Sequence, residues 1–515
     1  MRRITKKRQT QYGGVTVALT LLVVAATVIV NVLFSSLCQR YEIYVNMNKS
    51  FTYDLTDDCR DYIKQYVISE LDRQRNEGKN GKAKFIFWDD RENIESEAIK
   101  QMVLNSATEI LNSFPDYLEI EFIDMLENPS LARKYGVTAS TDVVFVCEDR
   151  HNVMQLPSFY IFNSSDTSTP IAYNGERRLA TGLYRTVRKN TGMCYLTINH
   201  GETLNDSSFL TLIADGGYNY TYLDLLNSDI PDDCELLVTY NPTQDFTASD
   251  NVSSVSEVEK ISRYMDRGGN YMVFVSADTF AAGSHVNFEN LMSEWGVNFV
   301  HSSSDDGSEA CYNIKDPAHS TTVDGYTILA RGASSGKGAN IVSGVDKSNL
   351  FGNSACITAA DGYISDGDGN FVSGTGKKRV FSPLVVSYSS AQAWAAGRAV
   401  ERAGEAGFTL MSLTEQENTE GTNSHLVVCA STYFGSEAAL KSTVFGNTET
   451  IYSIMKHMGN ESVPEKLTFK PFSVTKIASI TTATSTRITV VLSVVPAVAL
   501  IFAGVFVLVK RKNTI

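Results

Sequence analysis

The chain has 515 residues, with 45 Lys+Arg against 58 Asp+Glu and a formal net charge of −13. That balance excludes a nucleic-acid binder of the basic-patch kind, which needs cationic surface to displace counterions. A content of 43% hydrophobic and 10% aromatic residues excludes general disorder, and at ~100–200 residues per domain the length allows about two to four domains.

Residues 13–34 (GGVTVALTLLVVAATVIVNVLF) carry no charge, and neither do residues 488–509 (ITVVLSVVPAVALIFAGVFVLV). About 20 apolar residues in a helix span the hydrocarbon core of a bilayer, and such a helix tolerates an internal proline such as Pro496. Arg2, Arg3, Lys6, Lys7 and Arg8 precede the first stretch, and Lys510, Arg511 and Lys512 follow the second. Cationic flanks stay in the cytoplasm. The expectation is a two-pass cell-membrane protein. Residues 1–12 and 510–515 are its cytoplasmic tails, and residues 35–487 are its extracytoplasmic part. The first stretch is longer than a signal-peptide core and no A-x-A-like site follows it, which favours an uncleaved anchor.

After an extended connector over 35–60, Asp57 and Asp58 open a helical pattern reaching about Arg73. A strand is predicted at Lys84–Trp88, a helix at Glu95–Phe114, a strand at Leu118–Asp124, a short helix at Leu131–Tyr135 and a strand at Asp142–Cys147. Strands alternating with helices predict an α/β fold with a mainly parallel sheet, in the order used by thioredoxin-like domains. Where redox chemistry would need C-x-x-C, the chain has Asp89-Asp90-Arg91-Glu92.

A second α/β unit begins near Met193. Its predicted strands are Met193–Ile198, Tyr218–Asp224, Glu235–Tyr240 and Tyr271–Val275. Helices are predicted around Phe209–Ala214 and over Ser253–Arg267, the latter stopped by Gly268-Gly269. Residues 302–380 are rich in Ser, Gly and Asp and predict long loops with short strands. Strands follow at Phe408–Leu413 and Leu426–Ala430, then a helix at Glu449–Met458. The organisation read from this is an α/β domain over 35–190, a second over 191–465 with an irregular insertion near 302–380, and a membrane-proximal linker over 466–487.

Of the eight cysteines none forms C-x-x-C, so structural zinc and thioredoxin-type chemistry lack their spacing. Cys147, Cys194 and Cys429 lie in apolar strands and read as small buried hydrophobes, leaving room for one or two disulfides elsewhere. Gly332–Lys337 and Gly374–Lys377 come near a phosphate-binding loop without its spacing, so no nucleotide site is expected. Gly332-Ala333-Ser334-Ser335-Gly336 matches G-x-S-x-G, but the residues after it are a poor helix start, and an elbow needs a helix there. Asp366–Asn370 clusters oxygen ligands, yet Phe371 and Lys377 stand where a calcium loop needs Gly and Glu, so a solvated acidic turn is expected.

Asn199-His200-Gly201-Glu202 is the most suggestive constellation. It lies just beyond the C-terminal end of a strand, where α/β folds place ligands. His200 and Glu202 together have the chemistry for acid–base work or for binding a metal. The alternative is a surface turn whose polar residues cap the next helix. Seven histidines occur in the chain and none forms H-x-x-x-H, so no metal or cofactor is expected.

Residues 193–202 resemble the strand and "GHGE" of the gliding-motility GldG-like family, auxiliary components of ABC transporters. Tyr173-Asn174-Gly175-Glu176 with Leu179–Val187, Glu127–Val137, Ile230–Val238 with Asn241-Pro242, and Tyr264–Asn270 resemble further segments in the family's order. Asn199 replaces the family's first Gly, and Ala430-Ser431-Thr432 stands where the family tends to have Gly-Asp-Ser. The resemblance implies a thioredoxin-like domain followed by a class I glutamine-amidotransferase-like (GIFT) parallel-sheet domain without its catalytic Cys. It implies a non-enzymatic subunit acting with an ABC-2-type permease and a separate ATPase subunit. Two alternatives accompany it: an extracytoplasmic module binding a sugar, peptide or wall polymer near His200 and Glu202, and a hydrolase or amidotransferase-like enzyme needing a nucleophile beside His200. The charge also divides. The eight terminal cations leave residues 35–487 with 37 cations and 58 acids, a strongly acidic body that anionic lipid repels.

Overall fold

The computed structural model describes Ile29 and residues 55–472, apart from 164–165, 190, 205–206, 249–255, 281–282, 304–308, 375 and 419–421. The two uncharged stretches, 13–34 and 488–509, lie outside the described residues, Ile29 excepted. No helix among the described residues is long and apolar enough to cross a membrane. The chain divides into two units, Met1–Lys470 and Pro471–Ile515, and the elements below belong to the first.

Helix α1 (Asp57–Tyr62) starts at Thr56, whose hydroxyl accepts from Cys59 N, with Asp57 and Asp58 in its first turn. It passes through a π-helical turn at Ile63–Ile68 into α2 (Ser69–Asn76). Tyr62 at the end of α1 and Tyr66 on the wider turn both meet Tyr184, with ring centroids 6.2 and 6.1 Å away.

Strand β1 (Ala83–Phe87) is followed by α3 (Arg91–Ser96) and α4 (Ala98–Ser113). The single helix expected here is broken at Glu97, which is extended. Next come β2 (Leu118–Phe122), α5 (Pro129–Tyr135), β3 (Val143–Cys147) and β4 (Arg150–Met154). The sheet order is β2-β1-β3-β4. The expectation of a mainly parallel sheet is corrected here: β1 pairs parallel with β2, but β3 runs antiparallel to both β1 and β4. Phe122 at the end of β2 and Val143 at the start of β3 both lie beside Phe87, so β3 starts at the end of the sheet where β2 stops.

Helix α6 (Gly175–Val187) is buried almost throughout. It packs on β3, β4 and the π-helical turn.

The large sheet contains β5 (Gly192–Thr197), β6 (Tyr218–Leu223), β7 (Cys234–Tyr240), β8 (Asn270–Phe274), β9 (Thr327–Gly332), β10 (Asn349–Gly352), β11 (Arg379–Val386), β12 (Thr409–Glu417) and β13 (Asn423–Cys429). Their order is β10-β9-β11-β12-β13-β8-β7-β5-β6. The strands from β6 to β13 pair parallel, and those from β13 to β10 pair antiparallel. The fold is therefore mixed α/β.

Alternate residues of the parallel strands enter two separate cores, because successive side chains point to opposite faces. Leu196, Leu236, Val238, Met272 and Phe274 join one, with α7 (Ser207–Asp215) and the late helix Asn447–His457. Leu237, Tyr271, Val273, Leu426 and Val428 join the other, with α8 (Glu257–Asp266) and α9 (Val286–Glu294). Burial on both faces explains the apolar runs of β7, β8 and β13. Between Val297 and Ser373 the strands are mostly three or four residues long.

Two contacts close the body. Glu176 at the start of α6 accepts from Thr56 N and Oγ1 at 2.8 and 2.7 Å, and from Lys470 Nζ at 2.7 Å. Arg177 Nε donates to Leu467 O at 2.6 Å. The first and last described stretches of this unit thus meet on one helix.

Candidate functional site

The loop after β5 places its four residues in two directions. Asn199 (φ 82°) and Gly201 (φ 72°) lie in the left-handed region and are exposed. His200 is 3% exposed, and the Glu202 side chain is 6% exposed. A Cβ on Gly201 would lie 2.0 Å from Thr243 Oγ1, so the position requires glycine on two counts. The turn is held by Thr243 N and Gln244 N, which donate to His200 O at 2.8 and 2.9 Å.

Both nitrogens of the His200 ring are engaged. Nδ1 lies 3.0 Å from Glu202 Oε1 and Nε2 lies 2.9 Å from Glu257 Oε1. Glu202 also accepts from His200 N at 2.7 Å and from Thr197 Oγ1 at 2.9 Å. Glu257, the first residue of α8, accepts from Thr247 N and Oγ1, both at 2.9 Å. The ring stacks on Phe246 with centroids 3.9 Å apart and planes 12° apart. Behind it, hydroxyls run across three strands: Thr197 to Thr239 at 2.9 Å, and Thr239 to Tyr271 at 2.8 Å.

Burial works against charge on His200, but the hydrogen bonds to Glu202 and Glu257 outweigh it and push its pKa up to about 9. Burial likewise opposes charge on both carboxyls, and their bonds to His200 and to backbone N–H groups still hold them below the usual range. At neutral pH an imidazolium sits between two carboxylates. It has no lone pair to accept a proton or bind a metal, so the arrangement is a charged clamp joining the end of β5, the 243–247 loop and the start of α8. The side chains expected to meet a ligand, His200 and Glu202, face inward, while Asn199 and Gly201 face solvent. Glu257 escaped the sequence reading because an acid in a first helical turn ordinarily serves the helix dipole.

The other motifs resolve similarly. A strand precedes Gly332–Gly336 and a short helix, Gly336–Ile341, follows it. This corrects the expectation of a poor helix start. The start is rescued from outside, because Asn370 Oδ1 accepts from Lys337 N at 2.8 Å. Asn370 is itself held by Asp366, through Nδ2 to Oδ2 at 2.7 Å and N to Oδ1 at 3.1 Å. The calcium-like turn is thus an internal brace for the nucleophile-like loop. Lys337 Nζ donates to Glu415 Oε2 at 2.6 Å, and Lys377 pairs with Asp266. In the late loop, Ser431 is buried and bonds Gly352 through both N and O. The seven described cysteines are free, which corrects the allowance for disulfides among them, and burial pushes their thiols up. Cys38 lies outside the described residues.

A cleft of about 560 Å³ lies away from the His200 loop and is lined in part by Tyr66, Tyr184, Arg188, Tyr218, Glu235 and Asn460.

No known family matches the chain, and no curated protein matches it. Similar solved structures include the mmIFT52 N-terminal domain (12% identity, TM-score 0.36, 52% of this chain and 96% of that one). PurLQS from Thermotoga maritima is 12% identical, with a TM-score of 0.26, over 52% of this chain and 100% of that one. A cytoplasmic protein from Salmonella typhimurium is 11% identical, with a TM-score of 0.29, over 52% and 98%.

Proposed function

We propose that the chain is a non-enzymatic, membrane-anchored accessory subunit of an ABC-type export system, holding its body over an ABC-2-type permease served by a separate ATPase subunit. The observation that carries this reading is the convergence of Thr56 and Lys470 on Glu176. A body tethered at both ends to one membrane face needs its two ends together, and the uncharged stretches with cationic outer flanks lie beyond those ends. The closed state of His200 supports a non-catalytic role, since its ring is committed to Glu202 and Glu257. In the same reading, sheet β2-β1-β3-β4 is the thioredoxin-like part and the strands from β6 to β13 are the glutamine-amidotransferase-like part. Affinity purification of the full chain in mild detergent tests the proposal. Co-recovery of a permease and an ATPase is expected, and recovery of the chain alone removes its main support.

A second reading is an extracytoplasmic module for a polysaccharide or peptide, favoured by the tyrosine-lined cleft beside Arg188 and Glu235. Aromatic faces with nearby polar groups suit such ligands. Thermal stabilisation by members of a glycan and peptide panel is its expected signature, and no shift across the panel counts against it.

A further inference from the structure

Three ligand-type side chains from distant parts of the chain meet at one point outside the His200 site. Glu415 is near the end of β12, His425 near the start of β13, and His457 is the last residue of the helix Asn447–His457. One ligand atom from each lies within 4.8 Å of the others. Glu415 Oε1 is 2.7 Å from His457 Nε2 and 3.7 Å from His425 Nε2. The Glu415 and His425 side chains are each 8% exposed and that of His457 is 35% exposed.

The surrounding bonds fix the orientation of each group. Asn270 Nδ2 donates to Glu235 O at 3.1 Å and to Met458 O at 3.3 Å, so its Oδ1 faces His425. His425 Nδ1 lies 2.7 Å from that oxygen and must donate to it. The proton is then on Nδ1, and the Nε2 lone pair points towards Glu415. This is the outer-shell bond that orients histidine ligands in metal sites. Lys337 occupies Glu415 Oε2 and leaves Oε1 to the two imidazoles. Two lone-pair atoms, Glu415 Oε1 and His425 Nε2, facing each other at 3.7 Å with the His457 imidazole alongside make a slot for a cation.

We propose that Glu415 Oε1, His425 Nε2 and His457 Nε2 form a three-ligand site for a divalent transition metal of the zinc type, with a fourth position open beside His457. Two imidazoles and one carboxylate are a zinc donor set. Zinc bonds of ~2.0–2.1 Å put tetrahedral ligand atoms ~3.4 Å apart. Rotation of the half-exposed His457 ring opens its contact with Glu415 towards that value, and a small closure brings His425 in. The metal would tie the end of the late helix to the junction of β12 and β13. Because the ligands stand 10 and 32 residues apart, they match no metal motif, which is why the sequence carried no expectation of one.

The test is titration of the full-length chain, prepared without a polyhistidine tag and stripped with chelator, with Zn²⁺ by calorimetry and with Co²⁺ by visible absorption. The expected result is about one equivalent bound, with Co²⁺ ligand-field bands. His457→Asn, at a half-exposed position that leaves the core intact, is expected to weaken binding at least tenfold with unchanged circular dichroism. Glu415→Gln is expected to weaken it as well. Absence of saturable binding at one equivalent overturns the site, and so does equal affinity in the wild type and in His457→Asn.

Discussion

Lys470 donates to Glu176 across 294 residues of sequence, at 2.7 Å. Both side chains are largely buried, and Thr56 shares the same carboxylate. One side chain therefore receives both ends of the described body. Breaking a buried pair by removing one partner leaves an uncompensated charge, at a cost of ~3–5 kcal/mol. Glu176→Ala is expected to destabilise the protein by about that much in urea unfolding, and limited proteolysis should cut sooner near Lys470. Wild-type stability with unchanged proteolysis would mean that the ends are held elsewhere.

The His200 clamp predicts a particular pH dependence. Its folded pKa, about 9, stands above the ordinary value of 6.5. Its contribution is thus complete below pH 6.5 and is lost as pH rises through 9. Glu202 and Glu257 are shifted down, so their contribution is present above about 4.5 and is lost as pH falls through their lowered values. Clamp stability should peak at pH 5–6.5 and fall by roughly 3 kcal/mol towards alkaline pH. His200→Gln should flatten the alkaline limb of the stability curve. An unchanged slope in the variant would show that the clamp does not carry it.

Asn370 braces the helix start at Lys337 and also accepts from Ser382 Oγ at 2.9 Å. Asn370→Ala is expected to cost ~1–2 kcal/mol, the range for losing a helix cap. Since the Asp366 oxygens are already used by Asp368 N, Asn370 N and Asn370 Nδ2, Ca²⁺ should leave the melting temperature unchanged. A calcium-dependent rise would return this turn to the metal-binding class.

Much of the large sheet was legible because its strands are apolar runs bounded by turn residues. Leu236–Tyr240 and Leu426–Cys429 are buried on both faces, and burial leaves a pattern in composition. The direction of β3 was not legible, because an apolar run such as Val143–Cys147 has the same pattern whichever way it runs. The loop at His200 was visible, but its closure was not. Glu257 comes from a helix 57 residues away, and nothing in its local sequence separates it from an acid serving the helix dipole. The link from Asp366 through Asn370 to Lys337 joins two motifs that each looked independent, and the Glu415–His425–His457 cluster arises where the pairing of β12 with β13 meets the end of the late helix.

The proposal of a body tethered at both ends to one membrane face is tested most directly by topology mapping of the full chain in cells. Reporter fusions at Met1 and Ile515, with impermeant cysteine labelling or protease shaving of residues 35–487, give the measurement. Both termini are expected on the cytoplasmic side, with the body outside. Termini on opposite sides, or a chain that leaves the membrane fraction without detergent, would contradict it.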